Sequence, residues 1–199
     1  MAAIEQIIID ANIIKNETLA RANTATRVGT NLLDIASYVS NNEAKNGFMD
    51  YNDTTGSVSL VSDTWTDVPN NGLGVSTNKT YKPALINEVL DSSNGYLDFS
   101  ELTLGTQLLI RNYFTIIPNV NNSSLQVRYL LGQGAAEYEL KIRDEKLDMG
   151  SGIDYQKVIS IPLYIGDENT KGGAGKLQVK LSHNGTLINS GSYIKIDLR

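Results

Sequence analysis

The chain has 199 residues, 41% hydrophobic and 20% charged, with no cysteine and a formal net charge of -5 at pH 7. That length suits one or two domains, and the missing cysteine excludes a disulfide framework and any thiolate metal centre. The acidic balance argues against nucleic acid or an anionic membrane as partner, because phosphate binding needs clustered lysine and arginine. No run of about 18 apolar residues occurs, so no membrane insertion is expected. Met1 to Gln6 has neither the basic start nor the apolar core of a secretion signal. The protein is therefore expected to be made in a cytoplasm and used there or released by lysis.

The first predicted element is a helix. Ile4, Ile7, Ala11, Ile14, Thr18, Arg21, Ala25, Val28, Leu32, Ile35 and Val39 fall on successive a and d positions of a heptad. Thr18 and Arg21 interrupt the seam, leaving two short apolar blocks. The second, Ala25, Val28, Leu32, Ile35 and Val39, is the better formed and is assigned as a trimerisation stem. Leucine at a with isoleucine at d shifts coiled coils from two strands toward three or four. Asn16 or Thr18 would cap the start with Glu17 in the first turn, and Ser40-Asn41-Asn42 followed by Lys45-Asn46-Gly47 marks the stop. Gly29 costs a helix about 1 kcal/mol against alanine, which close packing of neighbouring helices would explain. Ile4, Ile7, Ile8, Ile9, Ile13 and Ile14 make a stretch too apolar for a free chain end; they are read as an anchor that docks into another protein. Packing of the helix on its own β-domain is the competing arrangement, but heptad spacing and an N-terminal position favour a symmetric bundle. Residues 1–45 thus form one unit.

Residues 46–199 alternate with the period of β-strands. Phe48 to Tyr51, Ser57 to Ser62 and Tyr96 to Phe99 come first. Gln107 to Ile117 is apolar on both faces and is expected to be a central strand covered on both sides. Leu125, Val127, Tyr129 and Leu131 form the next inward set. Tyr138, Leu140 and Ile142 alternate with Glu137, Glu139, Lys141 and Arg143 in a half-exposed strand. Ile159, Ile161, Leu163 and Ile165 follow, with Pro162 pointing to a free edge. Leu177, Val179 and Leu181 run into Asn184-Gly185, a hairpin signal, and Ile194, Ile196 and Leu198 close the set. Eight to ten short strands without a helical pattern predict an antiparallel β-sandwich of jelly-roll type, whose edges trimerisation would cover.

No catalytic constellation emerges. His183, the only histidine, sits beside the predicted turn, and no Gly-x-Ser-x-Gly elbow accompanies it. Glu137 and Glu139 share a strand face, as a glycosidase pair would, but Lys141 and Arg143 continue that face, which reads as solvated mixed charge. Gly172 to Lys176 lacks the Ser/Thr and the following helix of a phosphate loop. Asp167-Glu-Asn169 and Asp144-Glu145 lack the spaced ligands of a calcium loop. No cofactor and no metal are assigned. Trp65, the sole tryptophan, either stacks on a sugar or plugs the sandwich. Tyr113, Tyr164 and Tyr193 fall opposite the inward sets, where tyrosine suits a subunit interface.

Two stretches resemble a known family. NETLARANTATRVG from Asn16 to Gly29, with Leu32-Leu-Asp-Ile35, is similar to the short helical stem of bacteriophage tail-fibre and related virion proteins. WTDVPNNGLG from Trp65 to Gly74, Thr80-Tyr81, LDFSELTLG from Leu97 to Gly105 and Ile110-Arg111 resemble the tumour-necrosis-factor-like jelly roll that often follows that stem. The resemblance implies a homotrimer with the helices along the threefold axis, and a structural place for Trp65. It implies a virion protein, a short head fibre or a tail- or baseplate-associated spike, and no enzyme. The N-terminus would join it to capsid or tail proteins, and any contact with a host surface glycan would fall to distal loops. Soluble cytokine-like or carbohydrate-binding modules, and a capsid decoration without a ligand, are the alternatives.

Overall fold

In a computed structural model of the chain, residues 9, 12, 25–43 and 45–199 are described. The chain divides into two compact units, 1–45 and 46–199. Within the first, helix α1 runs over Ala25–Glu43. Its stem positions Val28, Leu32, Ile35 and Val39 are all exposed, Leu32 at 60%. The helix has 19 residues, and most helical stability in proteins comes from packing an apolar face. The backbone of Ala25 opens α1, and Ile9 is helical and half exposed. The anchor residues Ile4, Ile7, Ile8, Ile13 and Ile14, and the proposed caps at Asn16 and Thr18, lie outside the described residues.

The second unit is an antiparallel sandwich of two sheets. The chain forms β1 (Asn46–Asn52), β2 (Ser57–Leu60), β3 (Thr66–Asp67), β4 (Leu90–Asp91), β5 (Tyr96–Asp98), β6 (Gln107–Pro118), β7 (Ser123–Leu131), β8 (Tyr138–Leu147), β9 (Tyr155–Tyr164), the short helix α2 (Glu168–Gly172), β10 (Ala174–Leu181) and β11 (Gly185–Asp197). One sheet has the order β1-β11-β6-β9, with β2 also on β11; the other has β4-β5-β10-β7-β8, with β3 also on β10. From β5 onward only β7 and β8 follow one another within a sheet; every other connection crosses the sandwich, which is jelly-roll topology.

The inward sets predicted from alternation on β7, β9, β10 and β11 are buried, and Leu140 and Ile142 pack partly against the core. Pro162 sits on β9, which has a partner on one side only. Three expectations differ. Asn184-Gly185 is not a hairpin turn: β10 and β11 belong to different sheets. Gly185 is needed there for close approach, since a Cβ would lie 2.6 Å from Leu181 Cδ2 and 2.7 Å from the Ile117 carbonyl oxygen. β6 is central but covered on its inner face only, leaving Leu109 and Arg111 exposed and Tyr113, Thr115 and Ile117 partly so. The segment after Asp167 is helical rather than a loop, because the Asp167 carboxylate accepts the Thr170 N–H at 2.7 Å and caps α2.

Candidate functional site: the two outer sheet faces

The outer face of the β1-β11-β6-β9 sheet carries a groove of about 750 Å³ lined by Asp50, Arg111, Tyr113, Val158, Tyr193 and Lys195 among others. Its shape follows from register. Tyr113 on β6 lies opposite Val158 on β9 and Gly191 on β11, while Arg111 lies opposite Tyr193. The pairing of β6 with β11 shifts between Asn189 and Gly191, so Ser190 is the extra residue of a β-bulge. Gly191 takes φ 140°, and a Cβ there would run into the Tyr51 carbonyl oxygen of β1. The side chain missing at Gly191 lets the β1 backbone close up against β11.

Beneath the bulge lies a buried polar network that spans both sheets. The Tyr129 hydroxyl on β7 donates to Asn112 Oδ1 at 2.9 Å, and Asn112 Nδ2 donates to Ser192 Oγ at 2.8 Å. Asn70 Nδ2 donates to the same hydroxyl at 3.2 Å, and Asn189 Nδ2 donates to the Pro69 carbonyl at 2.7 Å. Burial pushes the Tyr129 phenol up, which keeps it a neutral donor. Polar groups without water must be paired, so these bonds fix where β11 kinks and hence where the groove opens.

Tyr113, Tyr164 and Tyr193, read separately as interface candidates, lie on this one face. Tyr113 and Tyr193 line the groove, and the Arg111 guanidinium donates to the Tyr113 hydroxyl at 3.3 Å. Tyr193 packs on Phe48 with ring centroids 5.4 Å apart, and Phe48 stacks on Tyr81 at 5.3 Å. Tyr164 stands apart at the end of β9, opposite Gln107. Leu109, Val158, Tyr164 and Ile188 are exposed on this face, Val158 at 53%. Burial holds the Asp50 carboxyl above its ordinary value.

The outer face of the other sheet is built differently. Glu137 pairs with Lys176 at 2.8 Å and Glu139 with Arg128. Gln178 donates to Asp67 at 2.7 Å, and Asp67 accepts from the Tyr96 hydroxyl, whose pKa that bond pushes up to about 12. Glu137 and Glu139 are thus held by cations, as a mixed-charge face requires. Trp65 is half-buried on this outer face and does not plug the core. The Arg128 guanidinium lies 3.9 Å from its ring centroid and the Lys180 ammonium 5.0 Å. A pocket of about 430 Å³ opens beside it, lined by Gln126, Glu139, Lys141, Arg143, Asp144 and Lys180.

His183 Nδ1 sits 3.0 Å from Ser182 Oγ and 3.3 Å from Ser123 Oγ in the connection from β10 to β11. Gly172 to Lys176 closes α2 and opens β10. Among the described residues no group of three or more His, Asp or Glu side chains is placed to hold a metal ion. The Trp65 pocket and the β11 bulge were not assigned from sequence. The bulge did leave a signal: Leu187 and Ile194 both face inward although seven positions separate them, an odd count that strict alternation forbids.

No protein-family model and no curated protein matches the chain. Among solved structures it is similar to Eiger TNF from S. frugiperda, at 12% identity over 78% of this chain and 94% of that one, with a TM-score of 0.46. Murine APRIL is 14% identical over 77% of this chain and 100% of its own, at 0.40. The CBM22-1 xylan-binding domain from Paenibacillus barcinonensis Xyn10C is 10% identical over 78% and 99%, also at 0.40. The strand order itself defines the class: a two-sheet jelly-roll sandwich preceded by a helical segment.

Proposed function

We propose that this chain is a structural protein of a bacteriophage virion, a homotrimeric short fibre or spike whose N-terminal segment joins it to capsid or tail proteins and whose jelly roll projects outward. The observation that carries the reading is a pair of apolar surfaces left exposed among the described residues. The stem seam of α1 exposes Val28, Leu32, Ile35 and Val39, and the outer face of the β1-β11-β6-β9 sheet exposes Leu109, Val158, Tyr164 and Ile188. The opposite sheet face is laced with ion pairs and suits water. Association that covers the first two surfaces and leaves the third wet removes both liabilities. The virion assignment rests on the likeness of the Asn16 to Gly29 stretch to phage stems. The reading is structural rather than enzymatic because the strand carboxylates that could act as an acid pair are tied to lysine and arginine.

Light scattering behind a sizing column tests it. The expected mass is three times the 21.7 kDa of one chain. Deleting residues 1–16 is expected to leave that trimer soluble but absent from assembled particles. A monomer, or loss of the trimer on deletion, would overturn the division between anchor, stem and head.

A further inference from the structure

We propose that the pocket beside Trp65 on the six-stranded sheet binds a carboxylate-bearing saccharide. The inference deepens the virion reading, since it names what the projecting jelly roll would touch, and it concerns the sandwich face opposite the groove.

The pocket has two kinds of wall. One is the indole of Trp65, set beside Lys180 because β3 pairs with β10 through Thr66 and Val179. The other is a set of charged side chains from β8 and β10 that is unevenly paired. Glu139 is tied to Arg128, Arg143 reaches Glu145 at 3.1 Å, and Asp144 accepts from Gln126 at 2.9 Å. Lys141 and Lys180 have no carboxylate partner among the described residues, and both line the pocket. Asp144 lines the pocket too and accepts only from a neutral amide, so Lys141 and Lys180 leave an excess of one positive charge around a concavity of about 430 Å³, on a chain whose net charge is -5. That excess calls for an anion.

The indole restricts which anion. Lys180 sits 5.0 Å from the ring centroid, so a carboxylate drawn to that ammonium brings the rest of its molecule against the aromatic wall. The C–H face of a sugar ring is apolar and gains by covering an indole, whereas a bare inorganic anion leaves that wall unused. A pocket that joins a few polar groups to an aromatic surface is the ordinary build of a small-ligand site. The bulge in β8 shapes the mouth. Val127 pairs with Arg143 and Arg128 with Lys141, so Ile142 is the extra residue, and the kink sets Lys141 and Arg143 apart around the opening. Three copies in one particle would make weak single contacts effective together.

Trp65 is the only tryptophan in the chain, so emission excited at the red edge, where tyrosine does not absorb, reports from this pocket alone. The full-length protein is titrated at low ionic strength with trigalacturonate, neutral galactotriose and inorganic sulfate, with calorimetry on the same samples. Trigalacturonate is expected to give a saturable emission change and measurable heat, and the other two neither. K141A and K180A are each expected to weaken binding about tenfold, the usual loss of one charge-assisted hydrogen bond, while K146A, at an exposed β8 lysine outside the pocket lining, leaves it unchanged. Added salt is expected to weaken it as well. No saturable response, an equal response to sulfate or galactotriose, or indifference to both pocket lysine variants would overturn the proposal. The mass of the same sample separates the two readings. A trimer that does not bind removes the site and leaves the virion assignment standing; a monomer that binds does the reverse.

Discussion

Glu88 and Tyr51 show how single residues tie a loop to the core. Tyr51 on β1 is buried, and its hydroxyl donates to the Glu88 carboxylate, which also holds the Lys79 ammonium at 2.6 Å. Burial pushes the Glu88 carboxyl up, but Lys79 and Tyr51 outweigh it, and the net shift is downward. A carboxyl with a lower pKa folded than unfolded contributes stability above its unfolded value, about 4.3. That contribution disappears as pH falls through the folded value. E88Q is therefore expected to lower the melting temperature at neutral pH and to matter progressively less as the solution is made acid and the folded carboxyl takes up its proton. An equal loss at neutral and acid pH would mean that the charge is irrelevant. Asp50 runs the other way. Its raised pKa makes the charged form a burden that is absent at acid pH and grows as pH rises through the folded value. The inward residues were legible from alternation because each pattern, such as Leu125, Val127, Tyr129 and Leu131, needs only its own strand to specify it. Trp65 was not, because its half-burial against Arg128 depends on β7 and β10 lying beside it.

At the scale of elements, β11 is where local and global requirements meet. It pairs with β1 and β2 along one edge and with β6 along the other. Its bulge reconciles Leu187 and Asn189 on the inner face with Ile194 and Ile196. Gly191 permits this, with φ 140° and β1 backbone where a side chain would start. G191A is expected to cost on the order of 2–4 kcal/mol, seen in denaturant unfolding. Hydrogen exchange should be fastest at Asp50 to Asn52, the part of β1 opposite the bulge. A loss below about 0.5 kcal/mol, ordinary for a harmless surface change, would show that the bulge can relax. Sequence parity marks such a slip, but period two says only which side a residue faces. It does not say which strand is the neighbour, and that is why Asn184-Gly185 reads locally as a hairpin and is in fact a crossing between sheets.

For the whole molecule, the difference between the two outer faces decides how copies can meet. Val158 is 53% exposed on the edge strand β9, next to Tyr113 across the register. V158E is expected to leave a single domain as stable as before, within about 0.5 kcal/mol, because the residue touches no core. It is also expected to lower the mass seen by light scattering, since a buried unpaired carboxylate weakens an interface strongly. An unchanged mass would move the contact off this face. The helix over Ala25–Glu43 was legible because a heptad is a one-dimensional pattern. The groove was not, because it joins β1, β6, β9 and β11, which are distant in sequence.

The placement of β11 in the middle of its sheet also sets a schedule for synthesis. β1 and β2 are made early, yet each finds its strand partner only in β11, which also closes the side of β6 that β9 leaves open. Until a ribosome has delivered Gly185 to Asp197, those three have no common neighbour, and pairing over such long loops is slow. Helix α1 leaves the exit tunnel long before the sandwich can close. A nascent chain thus carries the exposed apolar residues Val28, Leu32, Ile35 and Val39 of α1 ahead of an unfinished sheet.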